Sequence, residues 1–84
     1  MHEAFLVQDF AAQTRAMRVH GHVTSIRLEA AYWALLEEMA AQRATTVARL
    51  VSSLRDEALE CCGDVVNLSS FLRVSCLRYL KART

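Results

Sequence analysis

The stretch His22-Val23-Thr24-Ser25-Ile26-Arg27-Leu28-Glu29 alternates with period two and then runs directly into a helical pattern. An extended strand places alternate side chains on opposite faces. One face is apolar enough to lie on a core, and it consists of Thr24, Ile26 and Leu28. The other face carries a hydroxyl and a guanidinium beside one valine, and it consists of Val23, Ser25 and Arg27. The pattern predicts a strand with one core face and one polar face.

The backbone of such a strand needs hydrogen-bond partners, because a single short strand leaves its N–H and C=O groups unpaired. We expect the same strand of a second copy to supply them, which makes the chain a homodimer with a two-stranded ribbon. The preceding residues 15–19 also alternate, and His20-Gly21 offers a turn. A hairpin that adds an outer strand to the ribbon is therefore a second expectation.

The composition indicates one small, mostly helical domain. The chain has 84 residues, of which 54% are hydrophobic, with no proline and only two glycines. This is far from a disordered composition, and a domain of this size gains from a shared dimer core. The formal net charge of +1 argues against a general polyanion binder.

The three cysteines and the apolar runs bear on the cellular location. An odd count with an adjacent pair, Cys61-Cys62, is neither a disulfide framework nor a zinc or redox motif. We expect reduced thiols in the cytoplasm, with Cys61 exposed and with Cys62 and Cys76 as small buried hydrophobes. No secretory signal is evident, and no apolar run is long enough to span a membrane.

Three helices follow the strand. The first spans Glu29 to Arg43, and the second begins after an N-cap at Thr46. Asn67 or Ser69 can cap a third helix that runs to about residue 81. Ala44 occupies the helix-ending position where glycine is the easier residue.

The order strand, helix, helix, loop, helix resembles the ribbon-helix-helix fold of the Arc/Met-repressor superfamily, whose members include β-ribbon DNA readers. Three segments, GHVTSIRLEAAYWALLEEMAAQR, TTVARLVSSLRDE and NLSSFLRVSCLRYL, are similar to the compact bacterial ribbon-helix-helix domain family. The resemblance implies a mainly α fold with a short β-ribbon, as a homodimer with an additional C-terminal helix. The resemblance covers roughly residues 15–80, and we assign residues 15–84 to that domain. Residues 1–14 are left as an N-terminal extension, helical or partly ordered.

The resemblance also implies a function, a sequence-specific DNA-binding protein that regulates transcription and reads a palindromic site in double-stranded DNA. The base contacts carried over are Val23, Ser25 and Arg27. The phosphate contacts are Thr45 and Thr46 at the start of the second helix, together with His22. The expected dimer core is Ile26, Leu28, Trp33, Leu36, Leu50 and Leu54. Val23 departs from the family, which usually has a basic residue there, and its natural contact is a thymine methyl.

Each candidate also has a simpler interpretation. Arg27 can pair with Glu29, and Ser25 can simply face solvent. Thr46 can act as a helix cap alone. Trp33 can fill either a dimer interface or the space under the third helix.

Other function classes find little support in the sequence. No nucleophile, base and acid come together, and no glycine-rich phosphate loop is present, so we expect no enzyme. We also expect no metal site and no cofactor. The alternative to DNA binding is a dimeric protein-interaction module, antitoxin-like or an adaptor, with weak or no DNA binding. Its protein partner would bind through Phe5, Leu6 and Phe10.

Overall fold

A two-stranded antiparallel ribbon lies before three helices in the computed structural model, which describes residues 7–63 and 67–83. A 3-10 turn at Val7–Phe10 precedes the ribbon. The elements are β1 (Ala12–Val19), β2 (His22–Glu29), α1 (Ala30–Gln42), α2 (Val47–Cys62) and α3 (Leu68–Arg83). The predicted mainly helical fold with a short β-ribbon and an extra C-terminal helix is confirmed. No helix within the described ranges is long and apolar enough to cross a membrane.

The ribbon is a hairpin within one chain. β1 and β2 pair over their full length, from Ala12 opposite Glu29 to Val19 opposite His22. The two-residue loop has φ of 52° at His20 and 80° at Gly21. Positive φ at both positions is typical of turns whose twist matches that of the flanking strands. The predicted hairpin is confirmed, and β1 begins three residues before the predicted strand, inside the region assigned to the N-terminal extension.

Because β1 pairs with β2, the backbone of β2 has a partner on one edge without a second copy. The side chains alternate as predicted, with Ile26 and Leu28 buried and Ser25 and Arg27 exposed. Pairing of the other edge of β2 with a second copy stays a prediction.

The core lies between the inner face of the ribbon and the three helices. Trp33 and Leu28 are fully buried within the single chain. The indole Nε1 of Trp33 donates to the carbonyl oxygen of Gln13 at 3.0 Å, and the Arg15 guanidinium lies 4.6 Å from the ring centroid. Trp33 therefore packs beneath β1, a position that the sequence did not suggest. All six predicted dimer-core residues are at most 5% exposed in one chain: Ile26, Leu28, Trp33, Leu36, Leu50 and Leu54. Their contribution to a dimer stays a prediction.

The helix ends follow the predicted caps. Ala44 has a φ of 53°, so it adopts the left-handed conformation that glycine adopts most easily. The Thr46 hydroxyl accepts a hydrogen bond from the Arg49 N–H at 3.1 Å. At the third helix Asn67 is the cap, because its Oδ1 accepts from the Ser70 N–H at 3.1 Å.

Two of the three cysteine predictions agree with the structure. Cys61 is exposed and Cys76 is buried, but Cys62 is exposed and its predicted burial is wrong. Cys62 lies four residues after the buried Ala58, on the same side of α2, but the last turn of the helix is exposed and Gly63 ends it.

Candidate nucleic-acid interface

The outward face of the ribbon contains side chains from both strands. In the hairpin register Arg18 lies opposite Val23, and Thr14 lies opposite Arg27. Residues directly opposite each other in an antiparallel pair point to the same face. The face thus has two rows, Thr14, Ala16 and Arg18 on β1, and Val23, Ser25 and Arg27 on β2, all of them exposed.

The structure brings the three predicted base-contacting residues onto this face, and it adds a row that sequence reasoning missed. Arg18 was missed because the pairing register of β1 and β2 was not assigned. A two-residue turn at His20-Gly21 places Val19 opposite His22, and the next pair along the hairpin is then Arg18 opposite Val23. That assignment was available in the sequence and would have found Arg18.

The charge on the outward face is positive. Among the described residues, Arg18 and Arg27 form no ion pair with a carboxylate. The simpler interpretation, in which Arg27 pairs with Glu29, is not what the structure contains. The Glu29 carboxylate binds the Arg73 guanidinium, with 3.0 Å between Arg73 Nε and Glu29 Oε1. Arg27 is therefore available to a partner outside the chain.

The negative charge of Glu29, at the end of β2, is balanced by Arg73 of α3. The hydrogen bond from Arg73 is the main reason why the pKa of Glu29 lies below its ordinary value, and the nearby charge of Arg27 lowers that pKa further. Glu29 thus stays ionised at neutral pH, but its charge is engaged by α3. No other acidic residue belongs to the outward face between residues 12 and 29.

The N-terminus of α2 forms a second polar surface. Thr46 caps the helix through its hydroxyl, and the Thr45 N–H donates to the Ala40 carbonyl oxygen at 2.9 Å. The N–H groups of Val47 and Ala48 make no hydrogen bond within the described residues. Unpaired N–H groups and the positive end of the helix dipole attract anions. The cap and an anion contact are compatible here, as the sequence suggested.

The hairpin tip holds two histidines. His22 is exposed but lies opposite Val19, on the core-facing side of the strand, so its position does not join the outward row. His20 contacts α2, with 2.7 Å between its Nε2 and the Asp56 Oδ1. That contact connects the tip of the ribbon to α2.

No metal-binding site is evident in the part of the chain that the structure describes. No group of three or more histidine, cysteine, aspartate or glutamate side chains converges there. The polar groups of the interface are donors to anions and to hydrogen-bond acceptors: hydroxyls, guanidiniums and backbone N–H groups. Such groups bind nucleic-acid phosphates and base edges.

Comparisons with known proteins agree with this architecture. A family described as the ribbon-helix-helix domain matches residues 12–80. The solved structure of an uncharacterized protein from Bordetella pertussis Tohama I is similar, with 42% sequence identity and a TM-score of 0.82. The match covers 90% of this chain and 61% of that chain, so this chain spans less than two thirds of that protein. A search of curated proteins finds no match.

Proposed function

Because this chain belongs to the ribbon-helix-helix domain family, we propose that it is a sequence-specific DNA-binding protein that regulates transcription in the cytoplasm. The observation that carries the proposal is the outward face of the ribbon, which is exposed, polar and positively charged. In a dimer whose two β2 strands pair with each other, those two strands form a ribbon that fits the major groove of B-DNA, which is about 12 Å wide. With the outward face of the ribbon against the major groove, its side chains lie next to the base edges that carry the sequence.

Base reading rests mainly on Arg27. A guanidinium that donates two parallel hydrogen bonds to guanine O6 and N7 contributes about 1–3 kcal/mol of discrimination. The Ser25 hydroxyl both donates and accepts, so it accommodates several bases. Val23, which is 67% exposed, offers an apolar contact to a thymine methyl. Together these three side chains favour a site that contains both guanine and thymine.

Phosphate contacts position the ribbon without reading sequence. Thr45, Thr46 and the free N–H groups after them would bind one phosphate at the start of α2. His22 at the hairpin tip is the other predicted phosphate contact, from the side of the strand away from the outward row. These contacts account for affinity rather than for specificity.

We expect the protein to act as a homodimer on a palindromic site. In an antiparallel pair, residues that bond to the partner strand alternate with residues whose backbone groups face away. The Ala30 N–H donates to the Ala11 carbonyl oxygen at 2.9 Å. The Ala11–Ala30 pair is therefore a hydrogen-bonded pair, as is every second pair from there toward the hairpin tip. The backbone groups of Val23 and Ser25 therefore face the open edge of β2, where a second copy can pair.

The decisive experiment selects duplexes from a random pool and then measures binding to the enriched sequence by gel shift over a salt series. We expect affinity to fall with rising salt, and Arg27→Ala to lose discrimination at particular base pairs. Arg78→Ala, which removes an equal charge from an exposed position on α3, is the matched control. Equal discrimination by Arg27→Ala and wild type would contradict base reading, and a flat salt response would contradict phosphate binding.

A protein-interaction module is the second candidate, supported by apolar exposure near the N-terminus. Val7 is 88% exposed and Phe10 is 65% exposed. The predicted contacts Phe5 and Leu6 lie outside the described residues. A truncation that ends before Ala12 keeps β1 whole, so it separates the two candidates. Loss of a protein partner with DNA binding retained would favour the interaction module.

A further inference from the structure

Arg18 lies on the outward face of the ribbon, opposite Val23 and next to the hairpin tip. Its guanidinium is held in place, because Nη1 donates to the Gly21 carbonyl oxygen at 3.1 Å. That acceptor is a neutral carbonyl, and no carboxylate in the described part of the chain pairs with the guanidinium. Three other arginines are paired with carboxylates: Arg15 with Glu37, Arg73 with Glu29 and Arg83 with Glu38.

We propose that Arg18 binds a phosphate of duplex DNA at the hairpin tip, so that both strands of a single chain contact the nucleic acid. This inference rests on the proposed DNA-binding function and extends it to β1. It assigns the two strands different tasks. β2 reads base edges, and β1 supplies a charge that anchors the ribbon to the sugar-phosphate wall.

The surroundings of Arg18 suit an approaching phosphate. Its neighbours in the β1 row are Ala16 and Thr14, whose small side chains allow the duplex to come close. Val23, directly across the strand pair, is uncharged. The face between the hairpin tip and Arg27 contains no acidic residue to repel a phosphate.

The spacing of the two arginines separates their tasks. Arg18 lies opposite Val23, and Val23 is four residues before Arg27. At ~3.3 Å for each residue of a strand, the two positions are about 13 Å apart along the ribbon. In the proposed dimer β2 pairs with β2 of the second copy, so β1 is the outer strand, about 7 Å from the centre of the sheet at ~4.8 Å for each strand spacing. The wall of the major groove lies about 6 Å from its centre, because the groove is ~12 Å wide. With Arg27 over base edges, Arg18 on β1 is therefore at the wall.

The bond to Gly21 also favours phosphate over base contact. A specific guanine contact uses two guanidinium donors that are aligned with O6 and N7 of the base. Arg18 already uses one of its Nη1 donors on the hairpin itself. A phosphate needs only the charge and one further donor, and a guanidinium that is already ordered loses less side-chain entropy on binding.

The test measures Arg18→Ala and Arg18→Lys by gel shift against the selected duplex and a panel of single-base variants, over a salt series. We expect Arg18→Ala to weaken all duplexes by the same factor. The slope of log affinity against log salt should fall by about 0.9 for each Arg18 in the complex. Arg18→Lys should restore most of the affinity, because lysine also binds phosphate as a point charge.

The controls separate this inference from the proposed function. Arg78→Ala removes the same charge from α3 and should leave the slope unchanged, and circular dichroism checks that each variant is folded. If wild type binds DNA and Arg18→Ala has the same salt slope as wild type, the phosphate contact of Arg18 is overturned but the proposed DNA-binding function is not. A loss confined to one base pair would also overturn it, by making Arg18 a base reader. Absence of DNA binding by wild type would overturn both proposals.

Discussion

Arg73 of α3 binds the carboxylate of Glu29, the last residue of β2, through two guanidinium nitrogens at 3.0 and 3.4 Å. The two residues are 44 positions apart in the chain. The same guanidinium lies 5.9 Å from the ring centroid of Tyr32 in α1. Two residues before Glu29, the Arg27 carbonyl oxygen accepts from the Ser69 hydroxyl at 3.2 Å. The third helix therefore holds the junction between β2 and α1.

The Arg73–Glu29 pair should make stability depend on pH on the acid side. The pKa of Glu29 is lowered from its ordinary 4.5, mainly by the hydrogen bond from Arg73. A lowered folded-state pKa gives stability that is complete above the unfolded value and is lost as pH falls through the folded value. In urea unfolding, the advantage of wild type over Glu29→Gln should be constant well above pH 4.5 and should vanish at lower pH.

The control for this prediction removes the partner. In the Arg73→Ala background, Glu29→Gln should change the free energy of unfolding far less, and its effect should depend little on pH. An equal effect of Glu29→Gln with and without Arg73 would show that the pair is not the source of the pH dependence.

The left-handed residue between α1 and α2 offers a stabilising substitution. Ala44 has a φ of 53°, a conformation that costs a residue with a Cβ about 1–2 kcal/mol. Ala44→Gly removes this cost but gives the unfolded chain more freedom. We expect a net gain of about 0.5–1 kcal/mol in the free energy of unfolding, measured with urea. Ala34→Gly, at an exposed position inside α1, should instead cost about 1 kcal/mol.

The three thiols should differ in reactivity. Burial raises the pKa of Cys76 to about 11, whereas Cys61 and Cys62 are exposed. The hydrogen bond with the Cys61 thiol raises the pKa of Cys62. Because the thiolate is the reacting form, iodoacetamide at about pH 8 should modify Cys61 first and Cys62 more slowly in the folded protein. The third addition, at Cys76, should wait for unfolding, and peptide mass spectrometry would identify the site. Fast modification of Cys76 in native buffer would contradict its position in the core.

Much of the fold was predictable because its determinants are local. The period-two pattern of residues 22–29 identified β2, and the Thr46 and Asn67 caps located the starts of α2 and α3. The early start of β1 was not predictable from its own residues. It depends on contacts from α1: the Trp33 indole donates to the Gln13 carbonyl oxygen, and the Ala30 N–H donates to the Ala11 carbonyl oxygen.

Sequence reasoning predicted the candidate site on one strand only, because it did not extend the two-residue turn of the hairpin to the pairing register. Side-chain alternation identified Ser25 and Arg27 on the outward face of β2, but it gave no information about what lies beside them. Arg18 entered the face only through the pairing register. Similarly, Arg73, which binds Glu29, is 44 residues away from it in the chain. No local sequence pattern could therefore show that Glu29 pairs with Arg73 and not with Arg27.

Val23 is the position at which DNA affinity should be easiest to raise. It is 67% exposed on the outward face, and its side chain cannot donate a hydrogen bond. Val23→Lys adds a cation next to the groove, so it should strengthen binding to every duplex. The salt slope should increase by about 0.9 for each new phosphate contact. The cost should be about 0.2–1 kcal/mol of stability, because the lysine lies directly opposite Arg18.

Val23→Thr is the matched variant for this gain, because it keeps the β-branched shape without adding charge. It should leave the salt slope at the wild-type value, since no phosphate contact is added. The measurement is the gel-shift salt series with the selected duplex and an unrelated duplex of equal length. Val23→Lys with both the affinity and the salt slope of wild type on both duplexes would contradict the approach of this face to DNA, because a lysine in the groove gains either a phosphate or a guanine contact.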